Sequence, residues 1–460
     1  MQDNNQRLFL IIFTAIVTLA LLSMCPWGEW TGGWFKDFNL LSGVEAPTPK
    51  AVTDAASNLD PELAKLDTKP VAVPEVADSD SVASEPEPIP YDFKAPMRDG
   101  SVLIEDYSAD KQSLARLKSI LEQGSSRRVR IAMVGDSYIE GDILAQDIRA
   151  GLQSRYGGAG VGYVSAFSSF PGFRRSVTQI SQGWEEREIR KMGNDTLRTI
   201  LGHYHVAEGA ADMRYKGTAT PEHVASWNRT MILFVAPASG RIDFSGPDNE
   251  AVSYAVEASG ELQCLVHEAP TGDIRITSDI PALKVLGVWL EDNAGIVLDG
   301  ISLRGNSGVS HRRLNAATTA TMRQWIDYDL IILEFGMNAL SAEQTDYTAY
   351  GAGMTEVVNN LKRLYPNALI LMMGVGDRGT KVGTDFVSMP TLPAMIKAQR
   401  EVARRTCSLF YDTRAAMGGE NSSIGWHSRK LLNSDYVHLN HKGGKELADI
   451  ILQSLELSLQ

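Results

Sequence analysis

VRIAMVGDSYIEGD, residues 129–142, decides the fold. Its first six residues, Val129 to Val134, are an apolar run with the length and β-branched content of a buried strand. The run stops at Gly135-Asp136-Ser137, and residues 143–152 then carry apolar side chains at helical spacing. A strand therefore runs into a tight turn and a helix leaves it. A serine at the carboxyl end of such a strand sits on rigid backbone, where an α/β protein can hold a nucleophile. The tripeptide is also an ordinary turn, and Asp136 or Ser137 could simply cap the helix. What the distant C-terminal part supplies decides between these readings.

Beyond residue 293 strands and helices alternate. Strands are predicted over 295–303, 327–335, 368–374 and 408–412, with helices over 316–325, 347–364, 392–404 and 442–455. Helices between parallel strands imply a sheet covered on both faces. Ligands then bind beyond the carboxyl ends of the strands, where the strand order reverses. With 129–134 as first strand and 330–335 as third, Ser137 and Asn338 face each other there.

The middle of the chain breaks this alternation. Short alternating runs at 230–235, 240–244, 252–256, 273–276 and 285–290 are separated by turn residues. They predict an antiparallel β-sandwich inserted at 174–292. The glycine-rich stretch 156–162 follows a helix and opens an extended segment, which is the wrong context for a dinucleotide fingerprint. His203 and His205 share one strand face, but no third metal ligand accompanies them.

The chain has 460 residues and a net charge of −12, which argues against a nucleic-acid partner. Its three cysteines, Cys25, Cys264 and Cys407, are far apart and form neither a metal spacing nor a disulfide framework. Residues 8–24 are uncharged and apolar, with Arg7 before them and Trp27, Trp30 and Trp34 after. No small-residue cleavage site follows, so a retained signal-anchor in the inner membrane is expected within residues 1–30. Residues 31–100 read as a tether. Their 45–94 portion is acidic, rich in Pro and Ala and without period, so no fixed structure is expected there. The catalytic part is then expected in the periplasm or outside the cell, as two pieces, 101–173 and 293–460, flanking the insertion.

Four pieces fall at strand ends or in late loops. Ser137 needs a base, and His438 is the usual kind near neutral pH. Asp435, three residues earlier, can hold the other ring nitrogen. The backbone N–H groups of Ser137 and Gly308 and the amide of Asn338 are candidate oxyanion donors. Asp435, His438 and His441 could instead be metal ligands, but that leaves Ser137 and Asn338 without a role.

These blocks, Gly135-Asp136-Ser137, Gly308 (with Gly305 the lesser choice), Gly336-Met337-Asn338 and Asp435-Tyr436-Val437-His438, resemble those of the SGNH, or GDSL-type, hydrolases, in the same order. Ala339 departs from the family, where Asp often follows the Asn. The resemblance covers roughly 129–164 and 295–457. It implies a flavodoxin-like three-layer α/β fold and ester hydrolysis through an acyl-serine, with no cofactor and no metal. The lack of a G-x-S-x-G elbow sets the chain apart from α/β-hydrolases. An inserted β domain after a Tyr-Gly-Gly-x-Gly-Val-Gly segment resembles bacterial peptidoglycan and polysaccharide O-acetylesterases and acetyltransferases. Removal of O-acetyl groups from an envelope glycan is therefore expected. Transfer of acetyl to a glycan hydroxyl, or silent glycan binding, are the alternatives.

Overall fold

The computed structural model describes residues 60, 62, 63, 66, 102–247 and 250–460. The chain divides into units 1–54 and 55–460, and the described residues all belong to the second. The apolar run 8–24, its flanking Arg7 and tryptophans, and most of the tether lie outside the described residues. Among the described residues no helix is long and apolar enough to cross a membrane.

The α/β part is built in chain order from β1 (Arg128–Gly135), α1 (Ala145–Tyr156), β2 (Gly295–Ser302), β3 (Leu330–Glu334), α2 (Thr348–Leu364), β4 (Leu369–Met373), α3 (Leu392–Arg405), β5 (Leu409–Tyr411) and α4 (His441–Ser458). The five strands are parallel in the order β2-β1-β3-β4-β5, with the short strand Glu105–Asp106 antiparallel at the β5 edge. β1 is buried on both faces from Val129 onward, which is why its sequence is nearly continuous apolar. α1 packs on α4, and α2 on α3. The order reverses between β1 and β3, so both carry their carboxyl ends to the switch point.

Among the described residues, eight strands of the inserted part and the strand Gly162–Val164 form one antiparallel sheet with a buried cluster of its own, including Trp184, Tyr215, Trp227, Phe234 and Phe244. Its strands form one hydrogen-bonded sheet, not the two separate sheets of the sandwich expected from the sequence. The expected boundary at 173/174 is also crossed. The strand Gly162–Val164, placed with the α/β part by sequence, pairs with Lys284–Glu291 of the insertion.

Buried polar groups join the two parts. Asp299 of β2 accepts from the Tyr163 N–H (2.8 Å), Trp289 Nε1 (2.8 Å) and the Tyr328 hydroxyl (2.9 Å). Arg130 of β1 forms a fork onto Glu291 (2.7 and 2.8 Å), whose carboxylate also takes Arg229 (2.6 Å). Losing one partner of such a buried pair typically costs about 3–5 kcal/mol. The insertion is therefore part of the core rather than an appendage that can be cut away.

Candidate active site

Ser137 lies just past the end of β1, and His438 and Asp435 lie in the loop before α4. Ser137 Oγ is 2.8 Å from His438 Nε2, and His438 Nδ1 is 2.7 Å from Asp435 Oδ2. An ionised Asp435 can only accept, so Nδ1 carries the proton and Nε2 is left to accept from the serine hydroxyl. The other Asp435 oxygen accepts the N–H groups of Val437 (2.9 Å) and His438 (3.0 Å), which folds the Asp-x-x-His turn. The hydrogen bond that His438 donates to Asp435 raises the pKa of His438 above its ordinary value. Burial pushes the Asp435 carboxyl up, but the bond to His438 and its charge outweigh that and hold it below its ordinary value.

The turn is clamped by a residue that sequence reasoning passed over. Tyr436 has a left-handed backbone (φ 58°) and is stacked between Phe386 (ring centroids 4.0 Å apart) and His427 (3.9 Å). Phe386 lies on an unanticipated hairpin, Gly379–Val382 and Asp385–Ser388. The Gly379 N–H donates to the Tyr436 carbonyl at 2.9 Å. The histidine loop is thus held from both ring faces and through its backbone.

Across the switch point, Asn338 follows β3. Its amide nitrogen donates to Asp136 Oδ2 (2.8 Å) and to the Asn306 carbonyl (3.2 Å). Asp136 also accepts the Tyr138 N–H (3.0 Å). Burial raises Asp136 to about 6, against the pull of that N–H, His438, Asn338 and Arg378. Beneath it Glu334 is buried, with neither carboxyl oxygen partnered among the described residues. Burial first, and the Asp136 charge second, push the Glu334 carboxyl well above its ordinary value.

The structure does not leave Gly308, the expected second oxyanion donor, available. Gly308 caps the short helix Val309–Arg313 in a left-handed conformation (φ 92°), and its N–H is taken by Asn306 Oδ1 at 2.7 Å. Gly305, the lesser choice, also has positive φ (70°). Its carbonyl accepts from Arg190 (3.0 Å), while its N–H, like that of Ser137, has no acceptor among the described residues. The helix expected over 143–152 runs from Ala145 to Tyr156, after a short turn Glu140–Asp142. His441, the third residue of the metal alternative, sits at the start of α4 with its Nδ1 3.3 Å from Gln146 Nε2. His203 and His205 do lie together, ring centroids 5.4 Å apart, and burial keeps both neutral.

Four residues of the expected tether are placed against this site. Asp60 is buried (2 % exposed), and its Oδ2 accepts both the N–H and the hydroxyl of Ser307 at 2.8 Å. Its own N–H points to the Asn338 carbonyl at 3.4 Å. Leu63 and Leu66 pack on the core, and Glu62 lies 4.0 Å from Arg312. This contact joins the loops that carry Gly305 and Asn338.

A cleft of about 480 Å³ opens beside the serine loop. It is lined by residues 139–142 and 302–305 together with Tyr163, Phe170, Phe173 and Arg174. Phe170 is 57 % exposed and carries the Arg304 guanidinium over its ring.

Comparison of the sequence with protein-family models and with curated proteins gave no match. Solved structures do match. One, a peptidoglycan O-acetylesterase, superposes with a TM-score of 0.64 at 22% identity, covering 78% of this chain and 99% of that one. A family two carbohydrate esterase from Cellvibrio japonicus matches with a TM-score of 0.25 at 12% identity, over 61% of this chain and 99% of its own. A GDSL-like lipase from Parabacteroides merdae matches with 0.27 at 13%, over 35% and 73%. Over most of its length this chain has the fold of the first, a peptidoglycan O-acetylesterase, and it resembles the SGNH hydrolases in the order of its four blocks.

Proposed function

We propose that this protein is a serine esterase that removes O-acetyl groups from cell-envelope polysaccharide or peptidoglycan through an acyl-serine intermediate. The observation that carries it is the unbroken line Ser137–His438–Asp435, 2.8 and 2.7 Å, at the strand-order switch point. His438 Nε2 takes the Ser137 proton as Oγ attacks the acetyl carbonyl, and Asp435 holds the imidazolium that forms. His438 then returns the proton to the departing sugar oxygen. Water attacks the acetyl-serine by the same base, releasing acetate and restoring the serine. The free N–H groups of Ser137 and Gly305 and the Asn338 amide supply the oxyanion donors. Asn338 would exchange its longer bond, to the Asn306 carbonyl, for the oxyanion.

The fold likeness to a peptidoglycan O-acetylesterase and the cleft with exposed Phe170 and Phe173 support a glycan as the acyl carrier. The flavodoxin-like three-layer reading is supported by the strand order. The N-terminal apolar run supports anchoring in the inner membrane, with the catalytic part on its outer side. Acetyl transfer to a sugar hydroxyl would use the same line with a sugar in place of water. The test incubates the protein with an O-acetylated glycan, with and without free sugar acceptor, and follows acetate against acetylated acceptor. Acetate release, lost in Ser137→Ala, is expected. Acetylated acceptor without acetate would replace hydrolysis by transfer, and full activity in Ser137→Ala would end the serine reading.

A further inference from the structure

Arg378 stands beside the site, and this scheme does not use it. It follows β4 and is partly buried. Its Nη1 donates to the carbonyl of Met337, the residue before Asn338, at 3.3 Å. Its neighbour Gly379 bonds to Tyr436 in the histidine loop. The guanidinium therefore stands between the Asn338 and His438 segments. Its backbone is fixed on both sides. Asp377 is fully buried and accepts from the Ser388 hydroxyl, the Ser423 N–H and hydroxyl, and Arg414.

No carboxylate pairs with Arg378 among the described residues, and its Nε is buried without an acceptor. The two acids whose charge reaches it most, Asp435 and Asp136, are committed elsewhere. Asp435 serves His438 and two backbone N–H groups, and Asp136 serves Tyr138 and Asn338. A guanidinium drawn out of water without a counter-ion is costly, and its planar fork suits a carboxylate better than any neutral sugar group.

We propose that Arg378 binds a carboxylate on the acetylated glycan, so that the enzyme selects acidic sugars. The proposal rests on the serine esterase reading and adds the substrate class. The carboxylate can belong to the ring, as in a uronic acid, or to an ether-linked acid, as in muramic acid. Both present the same planar anion.

The test uses matched acetyl esters: an O-acetyl methyl glucuronoside against the O-acetyl methyl glucoside, and O-acetyl-N-acetylmuramic acid against O-acetyl-N-acetylglucosamine. For wild type, kcat/KM should favour the acidic member of at least one pair, and which pair identifies the source of the carboxylate. In Arg378→Gln the acidic-to-neutral ratio should fall tenfold or more, carried by KM. Arg378→Lys should fall less, since a point charge remains, and it serves if the Gln variant fails to fold. Equal loss on both members of each pair, or an unchanged ratio, overturns the proposal and leaves the esterase reading standing. A second measurement does not depend on turnover. Ser137→Ala protein should bind the acidic ester more tightly than the neutral one by calorimetry, and equal affinity overturns the proposal even if no ester is cleaved.

Discussion

Replacing Asp435 by Asn should cost more activity than deleting the side chain to Ala. In the native turn one Asp435 oxygen accepts the Val437 and His438 N–H groups, and the other faces His438 Nδ1 at 2.7 Å. An asparagine would keep its carbonyl on the two N–H groups, because only that atom can accept them. Its NH2 would then point at Nδ1 and force the proton onto Nε2. The imidazole in that tautomer cannot accept from Ser137, and an equivalent exchange in a serine triad costs about 10⁴ in kcat. Here the dyad side chains are 40 % and 44 % exposed, so water can compete with the amide and about 10³–10⁴, roughly 4–5.5 kcal/mol, is expected. Alanine admits water to Nδ1 without imposing a tautomer, and its loss should be nearer 10², about 2.7 kcal/mol. Neither should exceed the loss in His438→Ala, which removes the base altogether. The assay is kcat on a small aryl acetate at saturating substrate. Asp435→Ala as impaired as Asp435→Asn, or Asp435→Asn within threefold of wild type, would refute the tautomer argument.

Four other outcomes are expected. With His438 raised by Asp435, kcat/KM should climb with pH along a limb centred above 6.5, and Asp435→Ala should move that limb down. The same shift makes the His438–Asp435 contribution to stability complete below the ordinary histidine value and lost as pH rises through the folded one. Asp136 and Glu334 keep protons that the unfolded chain releases, so Tm should fall as pH rises, for Asp136 between 3.8 and about 6, and Glu334→Gln should flatten that slope; an unchanged slope counts against the buried pair. Phe386→Ala removes one face of the Tyr436 clamp, so kcat should drop about tenfold while stability changes by only about 0.5–1.5 kcal/mol, read by kinetics beside a melting curve. A fragment starting at residue 102 should have a lower Tm and kcat than one starting at residue 55, since Ser307 loses both Asp60 bonds at about 1–3 kcal/mol per unsatisfied group; equal fragments would show that the Asp60 contact does nothing.

The α/β part was legible because its strands are buried on both faces and read as continuous apolar runs closed by Gly-Asp-Ser and Gly-Met-Asn. Ser137, His438, Asp435 and Asn338 could be found because their spacing and chemistry are local. One fact separates Gly308 from Gly305. Both are left-handed glycines, and they differ in whether the Asn306 side chain consumes the N–H, which no pattern displays. The Gly162–Val164 pairing involves three residues and a partner more than a hundred positions away. Tyr436, Phe386 and His427 come from three separate segments, so their stack exists only in space. Arg378 carried a faint signal, Gly-Asp-Arg-Gly just after a buried strand. Asp60, Leu63 and Leu66 were hidden by averaging, since two leucines in an acidic, alanine-rich stretch leave its composition unchanged.

The docking of Asp60 makes the connection between residues 66 and 102 a link joined to the same body at both ends, 35 residues long. While it is intact, docking of the segment is an intramolecular event, so even weak binding keeps it in place. One cut between residues 66 and 102 would cancel that advantage and leave every described residue in one or other piece. The product would be a two-piece enzyme whose smaller piece leaves on dilution, taking with it the brace between the Gly305 and Asn338 loops. Such a nicked protein should lose activity as it is diluted and regain it when a free peptide spanning residues 55–70 is supplied. Cleavage of the connection would then act as a concentration-dependent off switch as well as a release.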